Sequence, residues 1–399
     1  MSTEPLLHGV RVLDLTRVLA GPYCTQLLGD LGADIIKVEA PGRGDDTRHW
    51  GPPFTESGQA AYFLSANRNK RSLTLNLKSD QGQQILRDLI KQSDVLVENF
   101  RTGTLAKWGL DYDRLQQLHP GLIYCSITGY GHDGPYKDRA GYDFMVQAMG
   151  GFMDITGTEA GGPTRAGVAI SDLGTGMFAC QAILAALFAR ERTGEGQRID
   201  MALLDSQVAL IAYVASNYLV SGELPRRLGN GHPNIVPYET FKARDGYFAF
   251  GAGNDGQWVK FCQAVDRPEW ITDERFRTNA DRVTNRHIVI PMLNDLFGQR
   301  DSADWMQLFD EIGIPSAPIN NIEQVFNDPQ VQARGLKVGA QRPDGEVVPL
   351  VRSPLHIPTN PSQIRYPPPL LGEHSQEILQ TLLGYDEEAV QGLREEGVI

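Results

Sequence analysis

The stretch RVLDLTRVLAGPYCTQLLGDLGADIIKVE, residues 11–39, sets the fold class. Val12, Leu13 and Leu15 form a short apolar run, as a buried strand does. Pro22 suits the first turn of a helix whose apolar residues are Leu27, Leu28 and Leu31 and which Gly32 closes. Ile35, Ile36 and Val38 then read as a second strand. Further along, Leu73, Leu75 and Leu77 alternate with polar residues, which predicts a half-exposed strand. Asp80 caps a helix with the apolar face Ile85, Leu86, Leu89 and Ile90, and Val95–Val97 and Leu122–Ile127 are further strands. Strands that alternate with helices predict a parallel, doubly wound α/β sheet.

Such sheets bind ligands beyond the carboxyl ends of their strands. That rule singles out Thr16–Ala20, Glu39–Arg48, Asn99–Arg101 and Thr128–Gly134, three of which contain arginine, an arrangement suited to an anionic ligand. The last segment holds a G-x-G-x-x-G match at Gly129–Gly134. Pro135–Arg139 follows it instead of an apolar helix, so it reads as a loop whose glycines allow close approach rather than as a nicotinamide-cofactor fingerprint.

A long helix is predicted from Asp172 to about Arg192, stopped by Thr193-Gly194, then a strand over Arg198–Met201 and a helix over Leu203–Leu219. Gly222–Pro237 is rich in Gly, Pro, Asn and Arg and reads as a boundary. The domains expected are 1–221, a large α/β unit; 222–330, a smaller α+β unit; and 331–399, returning to the first. The tail has strand-like Val347–Val351, a rigid strap at Tyr366–Pro369 and a last helix from Ser375.

Composition narrows the function classes. The 399 residues carry 37 Lys+Arg against 49 Asp+Glu, a net charge of −12, with 41% apolar and 22% charged residues. That balance excludes general disorder and makes a general binder of nucleic-acid phosphates a poor expectation. Met1–Val10 lacks an apolar h-region, and the longest apolar stretch, Met177–Ala189, is short of a membrane span. Four scattered cysteines read as reduced thiols of a cytoplasmic protein, and no Cys/His spacing suggests a metal.

Asp172 opens the long helix, and two readings apply. It is an N-cap, or it is a carboxylate held ionised by the helix terminus and available as a nucleophile, with Gly167, Ala169, Gly174 and Gly176 leaving room for a substrate carbonyl.

The ordered set Asp14–Pro22, Leu31–Glu39, Gly44–Arg48, Asn69–Ser72, Val97–Phe100, Gly141–Asp143, Asp172–Gly176 and Thr193–Gln197 resembles the family III CoA-transferases (CaiB/BaiF type) over essentially the full length. Trp50–Phe54, Tyr124–Gly131 and Pro318–Asn321 are similar to the succinyl-CoA:glutarate (hydroxymethylglutarate) branch. The resemblance implies an open Rossmann-like domain with a smaller second domain and an interlocked, ring-like homodimer. It implies CoA transfer from an acyl-CoA, favoured as succinyl-CoA, to a small dicarboxylic acid such as glutarate. No permanently bound cofactor is implied, since the CoA thioester is the substrate. Asp172 is the implied nucleophile, forming an aspartyl-CoA intermediate, with backbone N–H donors near it for the oxyanions.

By matching position, Leu19, Ala20, Leu75, Lys78, Asn99, Phe100, Arg101 and Lys107 are the implied CoA contacts. Arg17, Arg48 and Tyr142 complete the candidate set, Arg17, Arg48 or Arg101 also suiting a distal carboxylate. Gly229-Asn230-Gly231-His232-Pro233-Asn234 is the candidate substrate loop. Ala40 and Lys107 stand where the formyl-CoA:oxalate branch has arginine, so phosphate contacts shift toward Arg43 or Arg48 and oxalate is less favoured. Acyl-CoA racemases of the superfamily place a histidine before the aspartate, where this chain has Tyr142. A phenol with a pKa of about 10 is a poor base near neutrality, so racemase is the lesser alternative.

Overall fold

The computed structural model describes residues 4–399. Its centre is a six-stranded, wholly parallel sheet built from β1 (Arg11–Asp14), β2 (Asp34–Glu39), β3 (Lys70–Thr74), β4 (Val95–Glu98), β5 (Ile123–Thr128) and β6 (Arg198–Ala202), in the order β3-β2-β1-β4-β5-β6. Strand direction and the alternation of side chains explain why the strands are so apolar. Val12, Ile35, Val95, Val97, Ile123 and Cys125 enter the core on one face, while Leu13, Ile36, Leu73, Leu96 and Tyr124 enter that on the other. Val12 lies in register with Ile35 on one side and Val95 on the other. The order reverses between β1 and β4, which makes their carboxyl ends the switch point where such sheets bind ligands.

The structure corrects several sequence expectations. β3 ends at Thr74 and is buried throughout, because the Ser375–Leu383 helix packs over it; alternation at Leu73, Leu75 and Leu77 therefore does not mark an exposed face. The long helix begins at Ile170 and ends at Thr193, so Asp172 is its third residue and not its cap. With that earlier start the helix reaches 24 residues, long and apolar enough to cross a membrane, yet half of its apolar window is buried inside the protein, as in a core helix. The helix expected over Leu203–Leu219 divides into Leu203–Leu210 and Ala212–Ser221 at Ala212, whose φ is +36°. Ser79, not Asp80, caps the Asp80–Ile90 helix. The Pro-rich segment is a strap: Tyr366, Pro368 and Pro369 offer their carbonyls to Asn69, Arg342 and Arg48.

The chain divides into two compact units, 1–150 with 166–211 and 329–399, and 151–165 with 212–328. Segments 151–165 and 212–221 thus go with the second unit, whereas the sequence boundary at 221/222 assigns them to the first. That unit has a three-stranded antiparallel sheet (Tyr238–Lys242, Tyr247–Gly251, Ser316–Pro318) and an aromatic core around Phe250, Trp258, Phe297 and Phe309.

Candidate active site

The turn after β1 is held by buried charge. Asp14, fully buried, accepts bonds from the Thr16 backbone, Thr16 Oγ1, Thr25 Oγ1 and, at 2.9 Å, Lys70 Nζ. Burial works to raise its pKa, but Lys70 and Lys37 outweigh it and hold the carboxyl far below the usual range. Lys37, also fully buried, bonds Asp45 at 3.0 Å and the Thr16 carbonyl at 2.9 Å. Asp45 in turn accepts the Val18 N–H at 3.2 Å. Val18 has φ +72°, a strained conformation for a β-branched residue, and the surrounding bonds over-determine it. Asn99 clamps the next residue back, accepting from Arg17 N at 2.9 Å and donating to Arg17 O at 2.8 Å.

Beside this turn lies a cleft of about 570 Å3. Its wall includes Leu15, Arg17, Arg43, Leu75, Lys78 and Phe100. Of the sequence candidates, Arg17, Leu75, Lys78 and Phe100 are thus brought together, with Asn99 behind Arg17. Trp108 meets Phe100 edge-on at 6.0 Å and gives the cleft an aromatic corner that sequence reading missed. Arg17 and Arg43 share Asp46 as a partner and are 50% and 75% exposed.

The other candidates lie elsewhere. Arg48 is engaged in a fork on Glu39 at 2.6 and 2.8 Å, donates to the Pro369 carbonyl and covers the Phe63 ring at 3.8 Å. It holds the strap, because a buried Glu39 needs a cation. Leu19 and Ala20 are buried at the start of the Ala20–Asp30 helix. A Cβ on Gly176 would sit 2.6 Å from the Ala20 carbonyl, and one on Gly174 would meet Leu210, so these glycines serve helix packing and not access to a carbonyl. Lys107 is exposed and outside the cleft wall, and Tyr142 is 66% exposed. Arg101 donates to the Asp138 carbonyl and borders a separate 220 Å3 pocket. There Glu98 is buried beneath Ser126, whose hydroxyl lies 2.7 Å from His132 Nε2; burial raises the Glu98 pKa to about 7.

Asp172 is 9% exposed, and no hydrogen bond reaches its carboxylate among the described residues. Burial, then the charge of Asp143, raises its pKa to about 7. The helix terminus does not hold it ionised, because Asp143 has taken that place: its Oδ1 accepts the Ser171 N–H at 2.8 Å and the Asp172 N–H at 3.3 Å. Ile170 and Leu173 N–H bond to Val168 and Ala169 carbonyls, so all four amides of this turn are used and none is a free oxyanion donor. Gln147 donates to Asp143 Oδ2 at 2.6 Å, and Gln207 accepts from Ser171 Oγ at 2.6 Å while its own Nε2 is buried without a partner. Asp172 and Asp143 also raise the pKa of Tyr62, after burial, so Tyr62 belongs to this cluster; Trp50 meets its ring at 5.3 Å. Tyr62, Gln147 and Gln207 are absent from the sequence-derived set.

In the second unit, the Gly229–Asn234 loop is tied down. Gly229 N donates to Gly157 O, His232 stacks on Tyr213 at 5.0 Å, Asn234 bonds Asn217 and Arg286 grips the His232 carbonyl. A Cβ on Gly231 would meet the Leu228 carbonyl at 3.2 Å.

Residues 7–375 match CoA-transferase family III. The chain is 48% identical over 384 residues to a succinate–glutarate CoA-transferase of Agrobacterium fabrum, covering 95% of this chain and 96% of that one. It is 46% identical to the succinyl-CoA:glutarate CoA-transferase of Homo sapiens, covering 98% and 90%. The crystal structure of a CaiB/BaiF family protein from Brucella suis superposes with a TM-score of 0.84 at 47% identity, covering 95% of this chain and 100% of that one. With a switch-point cleft, a buried aspartate at the head of a long helix and likeness along nearly its whole length, the chain belongs to CoA-transferase family III and is a transferase acting on CoA thioesters.

Proposed function

We propose that this enzyme moves CoA from succinyl-CoA to glutarate or a similar short dicarboxylic acid, with Asp172 as the nucleophile. The observation that carries the role of Asp172 is a buried carboxylate left without a hydrogen bond inside a cluster where the neighbouring Asp143 is fully bonded. A carboxylate stripped of donors keeps its lone pairs for a substrate carbon. The reactions named for the two relatives support the choice of acids.

The reaction balances in four steps. Asp172 attacks the thioester carbon, giving an aspartyl–succinyl anhydride and CoA thiolate. The thiolate attacks the aspartyl carbonyl, which gives aspartyl-CoA and releases succinate. The acceptor carboxylate attacks that thioester and expels thiolate, forming a second anhydride. The thiolate then attacks the acceptor carbonyl, and Asp172 leaves as carboxylate. Each step exchanges one acyl bond for another. In the cleft, Arg17, Arg43 and Lys78 face the phosphates of CoA while Phe100, Trp108 and Leu77 offer apolar surface to its base.

The enzyme acts as a homodimer. The Ala212–Ser221 helix has no buried residue, and its Leu219 and Val220 are 79% and 89% exposed, an apolar surface that a second copy covers. Four reduced, buried cysteines suit the cytoplasm.

The test is donor alone followed by hydroxylamine. The peptide bearing Asp172 should carry a hydroxamate by mass spectrometry. Asp172→Asn should lose transfer while still binding CoA; transfer at a normal rate in that variant refutes the proposal.

A further inference from the structure

The segment around Gly397 reaches the cleft. Gly397 forms part of the same wall as Leu77, Lys78 and Trp108. It is held there by its neighbours. Val398 is 4% exposed in the core that also contains Leu75, and its carbonyl accepts the Asn76 backbone N–H at 2.8 Å. The Asn76 side chain works in both directions: Oδ1 accepts the Lys78 N–H at 3.1 Å, and Nδ2 reaches the Gly397 carbonyl at 3.5 Å. One residue thus fixes both a cation of the cleft and the Gly397–Val398 turn. Gly397 itself has φ +69° and nothing within 4 Å of where a Cβ would stand, so a side chain there enters open space.

We propose that Gly397–Ile399 is a wall of the CoA site, facing the nucleotide end of the cofactor, and that Asn76 sets its position. This rests on the reading that the cleft takes CoA. A wall of this kind contacts the part of the substrate common to every acyl-CoA, so it governs affinity for CoA and not the choice of acid.

The experiment is calorimetric titration of the protein with CoA alone, comparing Gly397→Asp with Gly397→Asn. Both residues tolerate a left-handed backbone and are equal in size, so their difference is charge. The aspartate variant should bind CoA about fivefold more weakly than the asparagine variant at low salt, the ratio shrinking as salt screens the added charge from the phosphates. Equal affinities, in a protein where Arg17→Ala and Lys78→Gln do weaken CoA binding, would overturn the Gly397 wall and leave the cleft assignment standing. If Arg17→Ala and Lys78→Gln also bind CoA as well as the wild type, the cleft is not the CoA site and both readings fall.

Discussion

Asp143 caps the helix that carries Asp172: one carboxylate oxygen accepts the N–H of Asp172 itself at 3.3 Å, and its charge adds to the burial that raises the Asp172 pKa to about 7. The neighbour therefore fixes the position of Asp172, the proposed nucleophile, and opposes its ionisation. Attack requires the ionised form, which grows as pH rises. The kcat/KM for succinyl-CoA should climb from pH 5 to 8 with an apparent pKa of about 7. Asp143→Asn keeps an acceptor for the two amides and removes the charge, so the acid limb should move to lower pH. A pH–rate profile of both proteins checks this.

Arg17 and Arg48 should separate affinity from stability. Arg17 is half exposed in the cleft, and Arg17→Ala should weaken CoA binding about tenfold, the worth of one charge-assisted phosphate contact, with little change in melting temperature. Arg48→Ala strands the buried Glu39 and should destabilise the protein by about 3–5 kcal/mol. Urea unfolding beside CoA titration distinguishes the two.

Lys70→Met should cost about 3–5 kcal/mol as well, since it leaves Asp14 buried beside one fewer cation. The sign of the acid dependence follows. A carboxyl held below its usual range stabilises fully above that range, and the contribution is lost as pH falls toward its folded value. In Lys70→Met that stabilisation shrinks, and the difference in unfolding free energy between the two proteins should narrow at low pH.

Glu98 gives the opposite sign. Its pKa is raised from 4.5 to about 7, so the native state holds its proton more tightly than the unfolded chain between those values, and stability falls as pH rises through that window. Glu98→Gln mimics the protonated form. It should match the wild type below pH 4.5 and be more stable above pH 7, by up to about 3 kcal/mol. Denaturation at pH 4.5 and pH 8 reads it out.

Much of the fold is written locally. The strand–helix–strand of residues 11–39 and the periodic helix after Ser171 are visible because each element's apolar pattern is its own. Asp172 is placed at the head of that helix by position, and its candidate role comes from the family resemblance. Arg17 and Phe100 are legible because parallel sheets place their strand ends together, whereas Leu75 and Lys78, which line the same cleft, come only from the family resemblance. Arg48 is not, because its role is decided by Glu39 and by a strap more than 300 residues away. Tyr62, Gln147 and Gln207 have no local signature; only folding brings them to Asp172's cluster. Likewise the burial of β3 depends on a helix from the far end of the chain.

The near-contact of Gly176 with the Ala20 carbonyl locks the helix bearing Asp172 to the segment that leads out of the strained turn. In the proposed reaction this makes the protein a ruler. The span between the cleft and the attacking oxygen is the same for every thioester, so the carbonyl arrives at one spot whatever acid it carries. Discrimination among acids then falls to whatever surrounds the portion of the acyl chain lying past that carbon, and selectivity can be retuned there without disturbing the measure itself.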